Sequence, residues 1–235
     1  DPSNKPLAEP GIDRIDLNEK GWDPIGSGYT VGAANPANNY LTNTIKPNSI
    51  WDPTRFLNIW VSQWEANILG IATFPASSGL SGLNNSETNL TAGVTISYIT
   101  VGSIFSPSSC TISYGRGKTL THELGHFFGL RHIWGDGNCA TDYCNDTPTH
   151  QASNFGEPQH PKPNSCGTAD EMFENYMDYV NDLMFTTFTV NQGDRMEAVF
   201  ANSPRRASLA SSNAGLIPVS ATNRIAFADC DGAIT

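Results

Sequence analysis

Charge is scarce in this chain of 235 residues, and what there is leans one way. Only 15% of residues are charged, with 13 basic against 23 acidic side chains, a formal net charge of -10 and a pI near 4.8. A basic surface for phosphate backbones is therefore excluded, and nucleic acid is not expected as a partner. No apolar run approaches the roughly 20 residues that cross a bilayer, so no membrane insertion is expected. The opening residues, Asp1-Pro2-Ser3-Asn4-Lys5-Pro6, lack the basic and apolar regions of a signal peptide, and the numbering is expected to begin at a processed terminus. Repeats and low-complexity tracts are also lacking. Cysteine is sparse and odd in number (Cys110, Cys139, Cys144, Cys166, Cys230), in no paired motif that would hold a second, structural zinc. Little lysine and much Asn, Ser, Thr and Gly read as a secreted, extracellular composition, where disulfides persist.

The length suits one sizeable core, or two lobes around a cleft. We expect a single domain, 1–235, of mixed α/β (α+β) class, with an upper subdomain over 1–129 and a lower one over 130–235. The first 50 residues are rich in Pro, Gly and Asn and predict irregular structure with at most short strands and one helix. A buried strand is expected over Phe56 to Val61, a second over Ile68 to Phe74, and a third with alternating faces over Val94 to Ile99. A helix is expected from about Lys118 to Phe128, capped by Thr119 or Thr121, with Leu120, Leu124, Phe127 and Phe128 as its apolar stripe. From His132 to about Asn175 Gly, Asn, Asp, Pro and Cys dominate without periodicity, which marks a segment held by cross-links or ions. Its extra histidines, His150 and His160, are expected at the surface. Thr189 with Gln192 forms a capping box for a helix over Val190 to Asn202, and the tail after Pro204 is expected to be irregular.

One stretch carries chemistry: His122-Glu123-Leu124-Gly125-His126-Phe127-Phe128-Gly129-Leu130-Arg131-His132. On a helix, His122 and His126 project from one face, so two imidazoles reach one ion while Glu123 sits beside the open coordination position. Gly129 can turn the chain left-handed and bring His132 back as a third ligand. Five fixed positions match, against a chance expectation of very roughly one in ten thousand for a chain of this length. The pattern predicts a zinc peptidase site. Three neutral imidazoles leave the ion's charge to activate water and polarise a carbonyl, with Glu123 as general base.

This motif is that of the metzincin clan, and Asn175-Tyr176-Met177-Asp178-Tyr179 resembles its Met-turn. Within the clan the chain resembles the bacterial secreted branch of the pappalysin family. The segments that carry this are Gly11 to Ile15, Trp51 to Val61, Ile68 to Pro75, Arg131 to Asp136, Asp146 to Pro148, and Asn175 to Tyr179 with Phe188-Thr189. The resemblance implies a twisted mixed sheet with backing and active-site helices above a cleft, and an irregular lower subdomain ending in a helix. It implies a protein or peptide substrate bound extended along the sheet edge near Ile68 to Phe74, and a propeptide in a precursor. Met177 would form an apolar floor under the ligands, and Tyr179 would stabilise the oxyanion. Calcium would hold the irregular segment through Asp136, Asp142, Asp146 and Thr147, with Asn138 and Asn145 close by.

Two departures from the family pattern stand out. Met184 occupies the place of a cysteine, so one family disulfide is lost. The other implies Cys144 with Cys166, and leaves Cys110, Cys139 and Cys230 to form one further bridge and one free thiol. The apolar run Leu183 to Phe188 near the expected pocket wall argues against a strict preference for basic residues after the cleaved bond. Two rival readings are a zinc hydrolase for non-peptide substrates and a catalytically silent binding or adhesion module. The intact Glu123 and Tyr179 oppose the second, since a silent module needs no base beside an open metal position.

Overall fold

The computed structural model describes residues 7–9, 11–24, 26, 31–32, 39–65, 68–83, 87–102 and 113–212. Three short strands form a sheet of order β1-β3-β2, in which β3 (Val94–Ser97) runs parallel to β1 (Ile59–Ser62) and antiparallel to β2 (Gly70–Ala72). Directly paired residues share a face, so Val94, Ile96 and Ala72 look one way while Trp60, Thr95 and Ile71 look the other. On the first face Val94 and Ile96 pack on Phe127, Leu120, Leu124 and Phe128 at α2 (Lys118–Phe127). On the second, Trp60 joins Tyr40, Leu41, Ile45 and Trp64. This cluster is built around a π-helical turn, Leu41–Ile45, that runs into α1 (Lys46–Ser49). With a helix on each face, all four residues of β3 are buried, Thr95 and Ser97 included, where alternating faces were expected.

The expected strands are present but shorter. The third stops at Ser97, where a 3-10 turn, Tyr98–Thr100, takes over. Helix α2 has the expected span less Phe128, but neither Thr119 nor Thr121 caps it. It starts after Gly117, whose φ of 82 is left-handed, and its start is capped from afar. The Asp182 carboxylate accepts from the Arg116 N–H at 2.7 Å and the Lys118 N–H at 3.3 Å. At the other end Gly129 takes φ 91, its N–H donates to the His126 carbonyl at 2.9 Å, and the chain leaves the helix axis as expected.

The segment beyond is irregular apart from β4 (Phe155–Gly156), paired parallel with β5 (Tyr179–Val180). A disulfide closes it, with a different partner from the one expected. Cys139 bonds Cys166, their Cα atoms 5.6 Å apart, and Cys144 is a buried free thiol. The left-handed backbone at Cys139 (φ 53) belongs to the turn that brings it within bridging reach. Cys144 instead belongs to the interior, its N–H bonded to Asp142 Oδ1 at 3.0 Å, and burial pushes its thiol up to about 12. The readings for Cys110 and Cys230 fall outside the described residues.

Helix α3 (Val190–Asn202) begins at the expected capping box of Thr189 and Gln192. The tail after Pro204, expected to be irregular, opens with a helix, α4 (Pro204–Ser211), and residues 213–235 lie outside the described residues. Proline here is the first helical residue, where its missing N–H costs nothing, and not a breaker. Arg206, fully buried, anchors α4. Its Nε donates to the Phe127 carbonyl at 3.0 Å, its Nη1 pairs with Glu87 at 2.7 Å, and its guanidinium lies 3.4 Å over the Phe127 ring. His150 is also fully buried, against expectation, because Asp178 and the Met172 N–H give its ring partners inside.

Candidate metal centre

Helix α2 and the turn after Gly129 bring the three histidines together, with one ligand atom of each within 4.8 Å of the others. Each ring leans on an oxygen through Nδ1: His122 on the Tyr176 carbonyl at 2.6 Å, His126 on the Leu130 carbonyl at 2.8 Å, and His132 on Asp136 Oδ1. These oxygens assign the proton to Nδ1, which leaves a lone pair on each Nε2. Burial pushes His122 down to about 3, with His132 adding to the shift, and burial and the neighbouring imidazoles hold His126 well below the ordinary range. His126 Nε2 and His132 Nε2 then lie 3.0 Å apart with no proton to share. Two facing lone pairs repel unless a cation stands between them. Three imidazoles with ligand atoms within 4.8 Å of one another fit a divalent ion that prefers nitrogen ligands, zinc above the oxygen-seeking cations.

Glu123 is 6% exposed and its Oε2 has no hydrogen-bond partner. Burial pushes this carboxyl up to about 8, against the pull of Lys46 and of a hydrogen bond from the Ala72 backbone. The room for it comes from Gly70 on β2, where a Cβ would lie 2.7 Å from both Cγ and Oε1 of Glu123. Tyr179, at the start of β5, places its hydroxyl 2.8 Å from His132 Nε2. Burial raises this phenol well above its ordinary value, with Glu123 and Asp136 adding to the effect. Met177 is fully buried among Leu130 and Ile133, and its sulfur fills the place that a side chain at Gly125 would need.

Of Asp136, Asp142, Asp146 and Thr147, expected as a calcium set, Asp142 and Thr147 bond to each other while Asp136 and Asp146 bond elsewhere. Asp136 holds His132 and Arg131, the latter at 2.9 Å. Asp142 takes both its oxygens to Thr147 Oγ1, at 2.9 and 3.0 Å, and Asp146 accepts from the Asn191 N–H at 2.9 Å. Among the described residues the three histidines are the one group of His, Cys, Asp and Glu side chains arranged to share a metal. The sequence reading missed Lys46, 4% exposed, which burial pushes down to about 8 while Glu123 pulls it back up. It also missed Asp182 at the start of the metal helix. Neither carries a local signal, each being a lone charged residue whose partner at the metal helix lies more than 60 residues away in sequence.

The family model described as Pregnancy-associated plasma protein-A matches residues 39–201. Among curated relatives, the extracellular metalloprotease of Arthroderma otae is 35% identical over 145 residues, which are 60% of this chain and 49% of that protein. That of Pyricularia oryzae is 34% identical over 149 residues, 62% of this chain and 48% of that one. Among solved structures, mature mirolysin of Tannerella forsythia in complex with a cleaved peptide superposes with a TM-score of 0.58 at 38% identity. It covers 68% of this chain and 58% of mirolysin. A promirolysin mutant gives 0.58 at 37% identity, over 68% of this chain and 51% of that one. The chain thus spans about half the length of the curated relatives it matches. With the family pattern running from the backing turn before α1 through the histidine motif and the Met177 turn to the end of α3, the chain belongs to the pappalysin family of metallopeptidases.

Proposed function

We propose that the chain is the catalytic part of a secreted zinc endopeptidase. The observation that carries this is the cluster of His122, His126 and His132, with one ligand atom of each within 4.8 Å of the others, the Tyr179 hydroxyl 2.8 Å from His132 Nε2, and next to His122 in the helix a buried Glu123 whose Oε2 has no partner. His122, His126 and His132 would hold zinc, which when bound supplies a Lewis acid that polarises the scissile carbonyl and acidifies water. Glu123 takes a proton from the attacking water and returns it to the leaving amine, a task that suits a carboxyl set near neutrality. The Tyr179 hydroxyl, held protonated, donates to the developing oxyanion. Met177 and the carbonyls of Tyr176 and Leu130 keep the imidazoles in place from behind.

Substrate would bind extended along β2, an edge of the sheet among the described residues. The cleaved peptide seen with mirolysin supports a peptide substrate, and promirolysin supports a propeptide in the precursor. The extracellular relatives support export. Calcium remains an expectation of the family resemblance alone. Wild type and Glu123→Ala, each with zinc and calcium measured, are incubated with a proteome-derived peptide library and the products sequenced by mass spectrometry. Chelator-sensitive cleavage by wild type, reduced at least about a hundredfold in Glu123→Ala at equal zinc, is the expected result. No cleavage by folded, zinc-loaded wild type would overturn the peptidase reading and favour a binding module.

A further inference from the structure

The three imidazoles are not supported alike. His122 and His126 stand on a helix and lean on peptide carbonyls, whereas His132 lies outside the helix and meets a carboxylate, Asp136 Oδ1. His132 itself stands on no helix or strand, so its ring is held by its neighbours alone. Trp134 stacks on one side of it, centroids 4.3 Å apart at 7°, and Tyr179 meets it edge-on at 4.8 Å. Stacking limits tilt, but it does not choose which nitrogen carries the proton.

Asp136 is itself held in place. Its Oδ2 accepts from Arg131 Nη2 at 2.9 Å, and that guanidinium also donates to the Gly135 carbonyl at 2.8 Å and the Gly82 carbonyl at 3.0 Å. The backbone at Asp136 has φ 62, directly after Gly135 at φ 64. Two left-handed residues in succession fold the chain back so that residue 136 reaches the ring of residue 132. A glycine would adopt this conformation more easily than an aspartate, so local backbone preference does not account for the residue found there. Its carboxylate does, because a negatively charged acceptor on Nδ1 fixes the tautomer and makes the opposite nitrogen a stronger donor to a metal.

We propose that Asp136 is a positioning residue of the metal centre: with Arg131 behind it, its carboxylate sets the orientation and tautomer in which His132 presents Nε2 to zinc. The inference rests on the zinc reading above. The test uses the same chain as wild type, Asp136→Asn and Asp136→Gly, stripped of metal. Zinc affinity is measured by competition with a chromophoric chelator, and thermal melting is recorded without metal. Asparagine keeps an oxygen acceptor and tolerates left-handed backbone, while glycine removes the acceptor and relieves the backbone. The expected dissociation constant for zinc rises roughly ten- to a hundredfold in Asp136→Gly. Asp136→Asn should fall between it and wild type. Metal-free melting of both should stay within about 2 °C of wild type or above it. Unchanged affinity in both variants would overturn the proposal, as would a loss of affinity matched by a fall in metal-free melting, which would make Asp136 an ordinary structural residue. Failure of wild type itself to take up zinc would overturn the zinc reading and this inference with it, and would be visible in the wild-type arm alone.

Discussion

Around β3 the chain is held largely by apolar contact: Val94 is 0% exposed, Ile96 4% and Phe127 2%, and Ala72, Leu120, Leu124, Phe128 and Leu209 pack on them, with the buried Arg206 over the Phe127 ring as the charged exception. Between His132 and Phe188 many of the buried side chains are of another kind. His150, Asn154, Glu171 and Asp178 are all buried and bonded to one another or to the backbone. Asn154 alone donates to Glu171 at 3.0 Å and to Asp178 at 2.8 Å, while Asp178 also accepts from the Asn154 and Tyr179 N–H groups. Where no strand ladder or helix pairs the backbone, side chains must do so, and an irregular segment can then be buried as deeply as a sheet. The two regions should fail differently. An apolar core loses stability with the volume removed, whereas a buried polar network loses it whenever one member leaves another unpaired.

The largest test of this contrast is Asp178→Ala, which strips acceptors from Asn154, Tyr179 N–H and His150; it is expected to cost about 3–5 kcal/mol in denaturant unfolding of the metal-free protein. A cost below about 1 kcal/mol would mean that the lower segment is held by apolar contact after all. Next, replacing Cys139 and Cys166 together by Ser opens a loop of 27 residues and should cost about 3 kcal/mol in the same unfolding experiment.

Acid sharpens the comparison further. Burial pushes the Glu171 carboxyl up, but hydrogen bonds from Lys162, Asn164, the Gln151 N–H and Asn154 outweigh it and hold it at about 2, below its ordinary 4.5. A group whose folded pKa is depressed adds stability above its unfolded pKa and loses it as pH falls through the folded one. The wild type should therefore lose on the order of 2–3 kcal/mol through Glu171 between about pH 5 and pH 2, and Glu171→Gln should show a correspondingly shallower acid slope. The smallest effect belongs to the apolar region: Ile96→Val beneath α2 should cost about 1 kcal/mol with no pH dependence. An equal cost for Ile96→Val and Asp178→Ala would erase the distinction between the two regions.

The same division governed what could be read in advance. The His122 to His132 motif, the turn at Gly129, the capping box at Thr189 and the three strands are local patterns, each written within a dozen residues by the period of the element it makes. The polar interior has no period. Asp182 caps the start of α2 from 64 residues away, Arg206 reaches the Phe127 carbonyl across 79, and Cys139 rather than Cys144 meets Cys166 because of a left-handed turn at one residue. Its acidic loop and the family resemblance place Asp136 in a calcium set, and no local pattern points from it to His132. Its bond to His132 follows only from two successive left-handed residues.

The sequence by itself determined the element that bears the chemistry: four-residue spacing puts two histidines and a glutamate on known sides of one helix, and a glycine after it frees a third histidine, because helical geometry is fixed by residue count. Tertiary structure alone decided what surrounds them. The depth at which Glu123 lies, the hydroxyl of Tyr179 at 2.8 Å from His132 Nε2 and the buried arginine at the end of α2 all depend on chain segments far apart in sequence. Such contacts are set by how whole layers pack and which buried polar groups must find partners, and those conditions are met only in the folded chain.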